Sequence, residues 1–567
     1  MQKIIFTCLL FSTVLFSTAQ TPKRNLRPGD IYRLQSIGDP QIAPDGNWVA
    51  YTLTTIDSAK DKRNTDVWMI SWDGKESVQL TNTPDGESSP RWSPDGKFIS
   101  FTAARLGGSN QIWLLDRRGG EAIKLTDIKG DISDYDWSPD SKKIALVIKD
   151  PMDTAKNKPP KPYIINRYKF KQDVSGYQYD TRNSHLYLFD IGTKKLDTIT
   201  KGMYNEADPQ WNPDGSKIAF VSNQTEDPDR NTNSDIFIVD AKPGATPKKF
   251  TTWTGSDNAP RWSADGKNIA WLRSTSNENY IMYDQPVLCV ADVNRGEVKT
   301  LSAKLDRPVS NPQWSKDGNS IGVLVADDMQ RYVATFNATT GAMQKIMDGE
   351  RSFTSLALHP KAGWLTTMSQ PQLPTELYTI EQNNLRRLTT IHNKFVDSIS
   401  LASVEKFVSK SKDGASVSNL LFLPPNASKQ KLPTIFYIHG GPVAQDEFSF
   451  DLTRQMLAAN GYAVAAVNYR GSNGKGIAFS KAIYADWGNK EVQDILGAAD
   501  YLVTKGIADG DKLGIGGWSY GGILTNQVIA RDRRFKAAIS GAGQSNALAG
   551  YGTDQYVREY EAELGTP

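Results

Sequence analysis

Trp92-Ser93-Pro94-Asp95-Gly96 runs directly into the short apolar stretch Phe98-Ile99-Ser100-Phe101, and this pairing decides the fold of most of the chain. Proline presets one turn position, aspartate hydrogen-bonds the local backbone and glycine accepts a positive φ, so the stretch is a β-hairpin turn. It recurs. Ile42-Ala43-Pro44-Asp45-Gly46 precedes it, and Trp137-Ser138-Pro139-Asp140-Ser141, Trp211-Asn212-Pro213-Asp214-Gly215, Trp262-Ser263-Ala264-Asp265-Gly266 and Trp314-Ser315-Lys316-Asp317-Gly318 follow. A worn seventh copy begins at Leu358-His359-Pro360.

Each turn is followed by a second strand pair, as in Asp66-Val67-Trp68-Met69-Ile70 or Asp235-Ile236-Phe237-Ile238-Val239, closing on Leu80-Thr81, Leu125-Thr126, Phe250-Thr251 or Leu301-Ser302. Four strands in a period of roughly 50 residues make a β-propeller blade. The seven copies predict a seven-bladed propeller over residues 30–395, with each tryptophan sealing one blade against the next. The interval from Asp140 to Asp214 is longer than the others, and the excess, about 150–182, reads as an insertion projecting from the ring. Unrelated hairpins in a β-sandwich are the alternative, and seven near-identical turns argue against it.

A chain of 567 residues calls for two domains. Its 14 Trp, 22 Tyr and 20 Phe supply a large core. The net charge of +3 comes from 66 basic and 63 acidic residues, so no general basic excess points to nucleic acid. The basic stretch Lys156 to Lys171 also holds Pro159, Pro160 and Pro162 and reads as a solvated insertion. At the start, one lysine, an apolar run from Ile4 to Phe16 and the small residues Ser17-Thr18-Ala19 predict a signal peptide over 1–19, hence export to the periplasm or the exterior. That run is too short to span a bilayer comfortably, and no later stretch approaches a membrane span. Of two cysteines, Cys8 lies in the signal peptide and Cys289 in an apolar strand, so no internal disulfide is expected. No Cys/His cluster suggests a metal, and no cofactor is implied.

From residue 398 the pattern changes. Buried strands such as Thr434-Ile435-Phe436-Tyr437-Ile438 and Ala463 to Val467 alternate with helices near Leu452–Asn460 and Val492–Lys505, implying a mostly parallel sheet covered on both faces. Gly517-Trp518-Ser519-Tyr520-Gly521-Gly522 sits between an apolar strand and a helix. This is the sharp strand-to-helix turn that exposes a nucleophilic serine in an α/β-hydrolase, with glycines where the helix packs too closely for side chains. Ser519 is the candidate nucleophile. The backbone N–H groups of Tyr520 and of Gly441, in the loop His439-Gly440-Gly441-Pro442, are the candidate oxyanion donors.

In such hydrolases the acid and then the histidine follow the serine. No histidine follows Ser519 here. His185, His359 and His392 lie in the propeller or the linker and read as structural; His439, with Gly440, is expected to support the oxyanion loop rather than act as base. The triad acid and base are therefore assigned to no residue.

These motifs, with Asn468-Tyr469-Arg470-Gly471-Ser472, Asp486-Trp487-Gly488, Tyr551-Gly552-Thr553-Asp554 through Glu563-Leu564-Gly565-Thr566-Pro567, and Arg167-Tyr168-Lys169 through Gly176-Tyr177, make the chain resemble the prolyl oligopeptidase family of serine peptidases. The likeness is greatest to its acylaminoacyl-peptidase and dipeptidyl-peptidase V branch. The resemblance implies an exported peptidase cleaving short peptides near their N-terminus, with a propeller that admits oligopeptides and excludes folded proteins. It also matches Ser519 to the nucleophile and Tyr520 and Gly441 to the oxyanion donors. Relatives continue past the point reached at Pro567, and that continuation carries the triad aspartate and histidine. The expectation is thus a hydrolase domain, 398–567, lacking its C-terminal part and nearly inactive alone. Asp554 lies early for the acid and is not assigned. A binding propeller with an inactive hydrolase half and an esterase are the alternative functions. Residue preference, the state of the substrate N-terminus and the oligomeric state are left open by the sequence.

Overall fold

Seven four-stranded antiparallel blades follow one another along the first two-thirds of the chain, from Ser36–Ile42 in blade 1 to Asn384–Arg387 in blade 7. Blades 6 and 7 are joined at one parallel pair, Arg331 with Ser352. The computed structural model describes residues 23–566 apart from 152–161, 163, 179–181, 276–277 and 360; the predicted signal peptide lies outside the described residues. The turn chemistry works as its composition dictates. Asp95 accepts from Ser93 Oγ at 2.6 Å and from Lys97 N at 3.1 Å, and Gly96 takes φ 71°. In blade 7, His359 stands at the position that holds Ser93 in blade 2 and takes over the turn's hydrogen bonding: Nδ1 accepts the N–H groups of Lys361 and Ala362 at 3.3 and 3.2 Å, leaving Nε2–H to donate to Pro44 O of blade 1 at 3.1 Å.

The tryptophan before each turn does seal neighbouring blades. Trp92 Nε1 donates to Gln41 O at 3.1 Å, Trp211 to Asp136 O at 3.1 Å, Trp262 to Gln210 O at 3.1 Å and Trp314 to Arg261 O at 2.8 Å, each in the preceding blade. The Thr or Ser at the blade end has its own task. Its hydroxyl accepts the N–H of a third-strand residue: Val67 N donates to Thr81, Ile112 N to Thr126, Leu186 N to Thr200 and Leu288 N to Ser302, all at 2.8–2.9 Å. The ring closes by packing, because blades 1 and 7 are each built from consecutive strands. Val49, Tyr51 and Ile70 pack on Leu365, Leu377 and Leu388, and Trp72 Nε1 donates to Glu381 at 3.0 Å across the seam. Within the insertion of blade 3, Lys171–Gln172 pairs with Gly176–Tyr177, and the blade resumes at Ser184–Asp190.

The second unit is one six-stranded sheet. Its strands are β1 (Ser403–Lys410), β2 (Ser416–Leu423), β3 (Leu432–Ile438), β4 (Ala463–Asn468), β5 (Ala508–Trp518) and β6 (Phe535–Gly541), in the order β1-β2-β4-β3-β5-β6. The hairpin β1–β2 joins antiparallel; β4, β3, β5 and β6 are parallel. Helix α1 (Leu452–Ala459), α2 (Lys490–Thr504), α3 (Tyr520–Arg531), α4 (Ala547–Thr553) and α5 (Val557–Leu564) complete it. Ala463 to Val467 are all fully buried, as befits a central strand covered on both faces. Arg470, just beyond β4, is pinned by Asp494 of α2 at 2.7 Å and by Asp413 of the β1–β2 turn. Direct bonds join the two units: Phe448 N donates to Met329 O at 2.8 Å, and Arg331 pairs with Glu447 at 3.0 Å.

Candidate active site

Ser519 stands between β5 and α3 with φ 56° and ψ −122°, a conformation rarely taken by a non-glycine residue. Two close approaches force the turn to be glycine-rich. A Cβ on Gly517 would lie 2.4 Å from Ile438 O, and one on Gly521 would lie 2.1 Å from the same oxygen. Both glycines let α3 sit directly on the end of β3, which lifts Ser519 to the sheet's upper edge. That strained residue caps a helix whose first N–H groups have no partner within the helix, and Tyr520 is the first of them.

The loop after β3 comes up against the serine. A Cβ on Gly440 would meet Ser519 Cβ at 3.3 Å, and Gly441 takes φ 131° before a cis bond to Pro442. Gly441, Ser519 and Tyr520 line one cavity of about 240 Å³. The predicted nucleophile and both predicted oxyanion donors thus share one space.

His439 supports this loop from beneath. Its Nδ1–H donates to Gly440 O at 2.7 Å, so Nε2 accepts from Ser472 Oγ at 2.9 Å, while its ring stacks on Tyr469 at 4.4 Å. Tyr469 OH donates to His439 O at 3.0 Å. Burial pushes the imidazole pKa down, which keeps it neutral and matches the tautomer. The other three histidines are engaged elsewhere: His185 with Glu206 at 3.0 Å, His392 with Glu376 at 3.1 Å and Gln35 O at 3.0 Å, and His359 at the blade 7–blade 1 seam.

The walls of the cavity are only partly legible in the sequence. Trp487 belongs to the Asp486-Trp487-Gly488 motif, but its position facing Ser519 emerges only from the fold. Asp554, Tyr556, Glu559 and Tyr560 arrive from α5 and the turn before it. Asp554 Oδ2 accepts from Tyr560 OH at 2.7 Å, so this residue, unassigned on sequence grounds, is a wall group that fixes Tyr560. Met282, from blade 5, reaches the cavity from the propeller and has no sequence signal at all. Under Tyr520, Glu491 of α2 accepts the phenol at 2.6 Å and Gly488 N at 2.7 Å. Desolvation raises the pKa of this carboxyl and, with the neighbouring carboxylate, drives that of the Tyr520 phenol well up. Among the described residues no cluster of His, Cys, Asp and Glu could hold a metal ion, and no helix is long and apolar enough to cross a membrane.

Comparison with known proteins agrees with this geometry. The Prolyl oligopeptidase family matches residues 448–567, and the TolB beta propeller domain matches 33–157 and 172–286. Dipeptidyl-peptidase 5 of Porphyromonas gingivalis is 29% identical over 597 residues, covering 100% of this chain and 86% of the relative. The peptidase YuxL of Bacillus subtilis is 29% identical over 557 residues, covering 94% and 84%. Among solved structures, the acylaminoacyl peptidase of Pyrococcus horikoshii superposes with a TM-score of 0.81 at 22% identity, covering 94% of this chain and 82% of that one. A propeller set on an α/β-hydrolase, a family match running through the segment that carries Ser519, and peptidase relatives along nearly the whole length agree: the hydrolase segment 448–567 matches the prolyl oligopeptidase family, and the chain as a whole is similar to peptidases of the dipeptidyl- and acylaminoacyl-peptidase type.

Proposed function

We propose that the protein is an exported serine peptidase that releases short fragments from the N-terminus of oligopeptides, as a dipeptidyl- or acylaminoacyl-peptidase. Ser519 Oγ adds to the scissile carbonyl, its proton passes to a base, and the resulting oxyanion is held by the N–H groups of Tyr520 and Gly441. Collapse expels the amine with a proton and leaves an acyl-serine, which water then hydrolyses. The observation that carries this reading is the strained Ser519 turn opening onto the aromatic cavity of Trp487, Tyr556 and Tyr560. That cavity suits an apolar side chain beside the scissile bond, and its place under the propeller favours slender peptides.

The proton acceptor is not one of the four histidines, each of which is held by other partners. Export rests on the Met1–Ala19 stretch.

The test uses protein expressed from its complete reading frame. A fluorophosphonate probe is expected to label Ser519 and not the Ser519→Ala variant, and mass spectrometry is expected to show release of short N-terminal fragments. Free and N-acetylated peptides, run in parallel, separate the two peptidase types. Absence of both labelling and cleavage would sink the proposal; cleavage of aryl esters without peptides would make it an esterase.

A further inference from the structure

Blade 5 sends a short helix, Glu278–Tyr283, out of the propeller between its strands Asn268–Arg273 and Val287–Asp292. Its last two residues leave their own domain altogether. Tyr283 is 1% exposed and sits in the hydrolase core, where its hydroxyl donates to Glu563 Oε1 of α5 at 2.5 Å and its ring meets Tyr484 edge-on at 6.3 Å. Met282 packs against the same core and lines the cavity of Ser519.

Glu563 is the node. The oxygen that accepts Tyr283 also accepts the N–H of Ala485 at 3.0 Å, and Ala485 is held at φ 53°. Two residues further along that loop is Trp487; three residues back along α5 is Tyr560, and both line the cavity. One buried carboxyl therefore ties together three elements that each contribute a wall residue: the propeller helix with Met282, the loop with Trp487, and α5 with Tyr560. A contact serving only to hold the domains together would not need Met282 to line the cavity that holds Ser519.

We propose that Met282 is a specificity-determining residue contributed by the propeller, and that Tyr283 and Glu563 are positioning residues that hold it against the cavity. The group it selects is the apolar side chain of the residue on the acyl side of the scissile bond. This identification of the occupant rests on the peptidase reading; the size selection by Met282 does not.

Two sets of measurements separate them. In the Ser519→Ala protein, dissociation constants for Gly-Ala-Gly, Gly-Phe-Gly and Gly-Trp-Gly are measured by calorimetry. In the parent, kcat/KM is measured on Gly-Ala and Gly-Trp aminocoumarin amides. Met282→Ala is expected to move the Trp-to-Ala ratio up by about tenfold or more, and Met282→Phe to move it down, in line with the discrimination that a few methylenes provide in an apolar pocket. Glu563→Ala is expected to blunt the ratio toward unity while Glu563→Gln, which keeps an acceptor for Tyr283 and Ala485, restores it. Ratios that stay within about twofold for both Met282 variants, against the tenfold expected of such a pocket, overturn the proposal even if the melting temperature moves. A shift in the binding ratios in a protein that cleaves nothing supports the size selection and removes the peptidase reading instead.

Discussion

Tyr520 donates its phenolic hydrogen to Glu491 Oε1 across 2.6 Å, and the same oxygen accepts the N–H of Gly488 at 2.7 Å. The residue that follows the nucleophile is thereby fixed at its far end by a carboxyl on α2, and by the loop bearing Trp487, whose ring meets Tyr520 edge-on at 5.2 Å. The bond and the ring contact anchor the Tyr520 side chain, and with it the residue whose main-chain N–H is the proposed oxyanion donor. Preorganised donors of that kind need no rearrangement when charge develops.

Glu491 is fully buried, and its second oxygen has no partner among the described residues. Desolvation favours its neutral form, which an amide imitates. Glu491→Gln is therefore expected to label with fluorophosphonate within about tenfold of the parent. Glu491→Ala leaves a buried phenol unpaired, at a cost of about 1–3 kcal/mol, and frees the Tyr520 ring. Labelling should then slow by about 10². Equal rates in the two variants would show that the anchor has no bearing on the donor.

Gly521 and Gly552 form a contrasting pair. A methyl on Gly521 would lie 2.1 Å from Ile438 O and 2.9 Å from Ile438 C, both backbone atoms that cannot swing aside. Gly521→Ala is expected to destabilise the hydrolase domain by more than about 3 kcal/mol or to prevent its folding. Gly552, inside α4, has nothing within 4 Å of where a methyl would stand, and Gly552→Ala should be neutral or stabilise by up to about 1 kcal/mol. Differential scanning calorimetry of both variants decides it.

His439 has both ring nitrogens engaged, by Gly440 O and Ser472 Oγ. Were it the general base, its removal would cost about 10⁶. Its bonds make it a support of the loop, so His439→Gln is expected to lose less than about 10² in kcat through misplacement of one oxyanion donor. Its melting temperature should fall in step. A millionfold loss with unchanged stability, on the order of the base's full contribution, would return His439 to the catalytic role.

The blades are legible because one turn carries its own chemistry seven times over, from Asp45 to the altered copy at His359. Ser519 is legible for a related reason: Gly517 and Gly521 mark close approaches that few local structures require. Those signals are short-range. Met282 and Ser519 stand 237 positions apart, and no periodicity links a methionine in a propeller loop to a hydrolase turn. Tyr560 likewise reads as an ordinary helix residue until α5 is placed against Trp487. The walls of the cavity are set by tertiary packing, which sequence pattern reports only as apolar character.

Asp66 provides the clearest dependence on pH. It lies in the third strand of blade 1, is 6% exposed, and has one carboxyl oxygen with no hydrogen bond among the described residues. Burial, reinforced by the carboxylate of Glu87, raises its pKa from 3.8 to about 6. Between those values the folded state holds a proton that the unfolded state releases, so stability falls as pH rises through the window and levels off above it. Asp66→Asn removes the titration. The variant should match the parent near pH 3.8 and exceed it by about 3 kcal/mol at about pH 7.5. Other carboxylates titrate over the same range, so the quantity to follow is the difference in melting temperature between variant and parent. That difference should open between about pH 4 and 6 and stay constant above; a difference independent of pH would mean that Asp66 is ionised throughout.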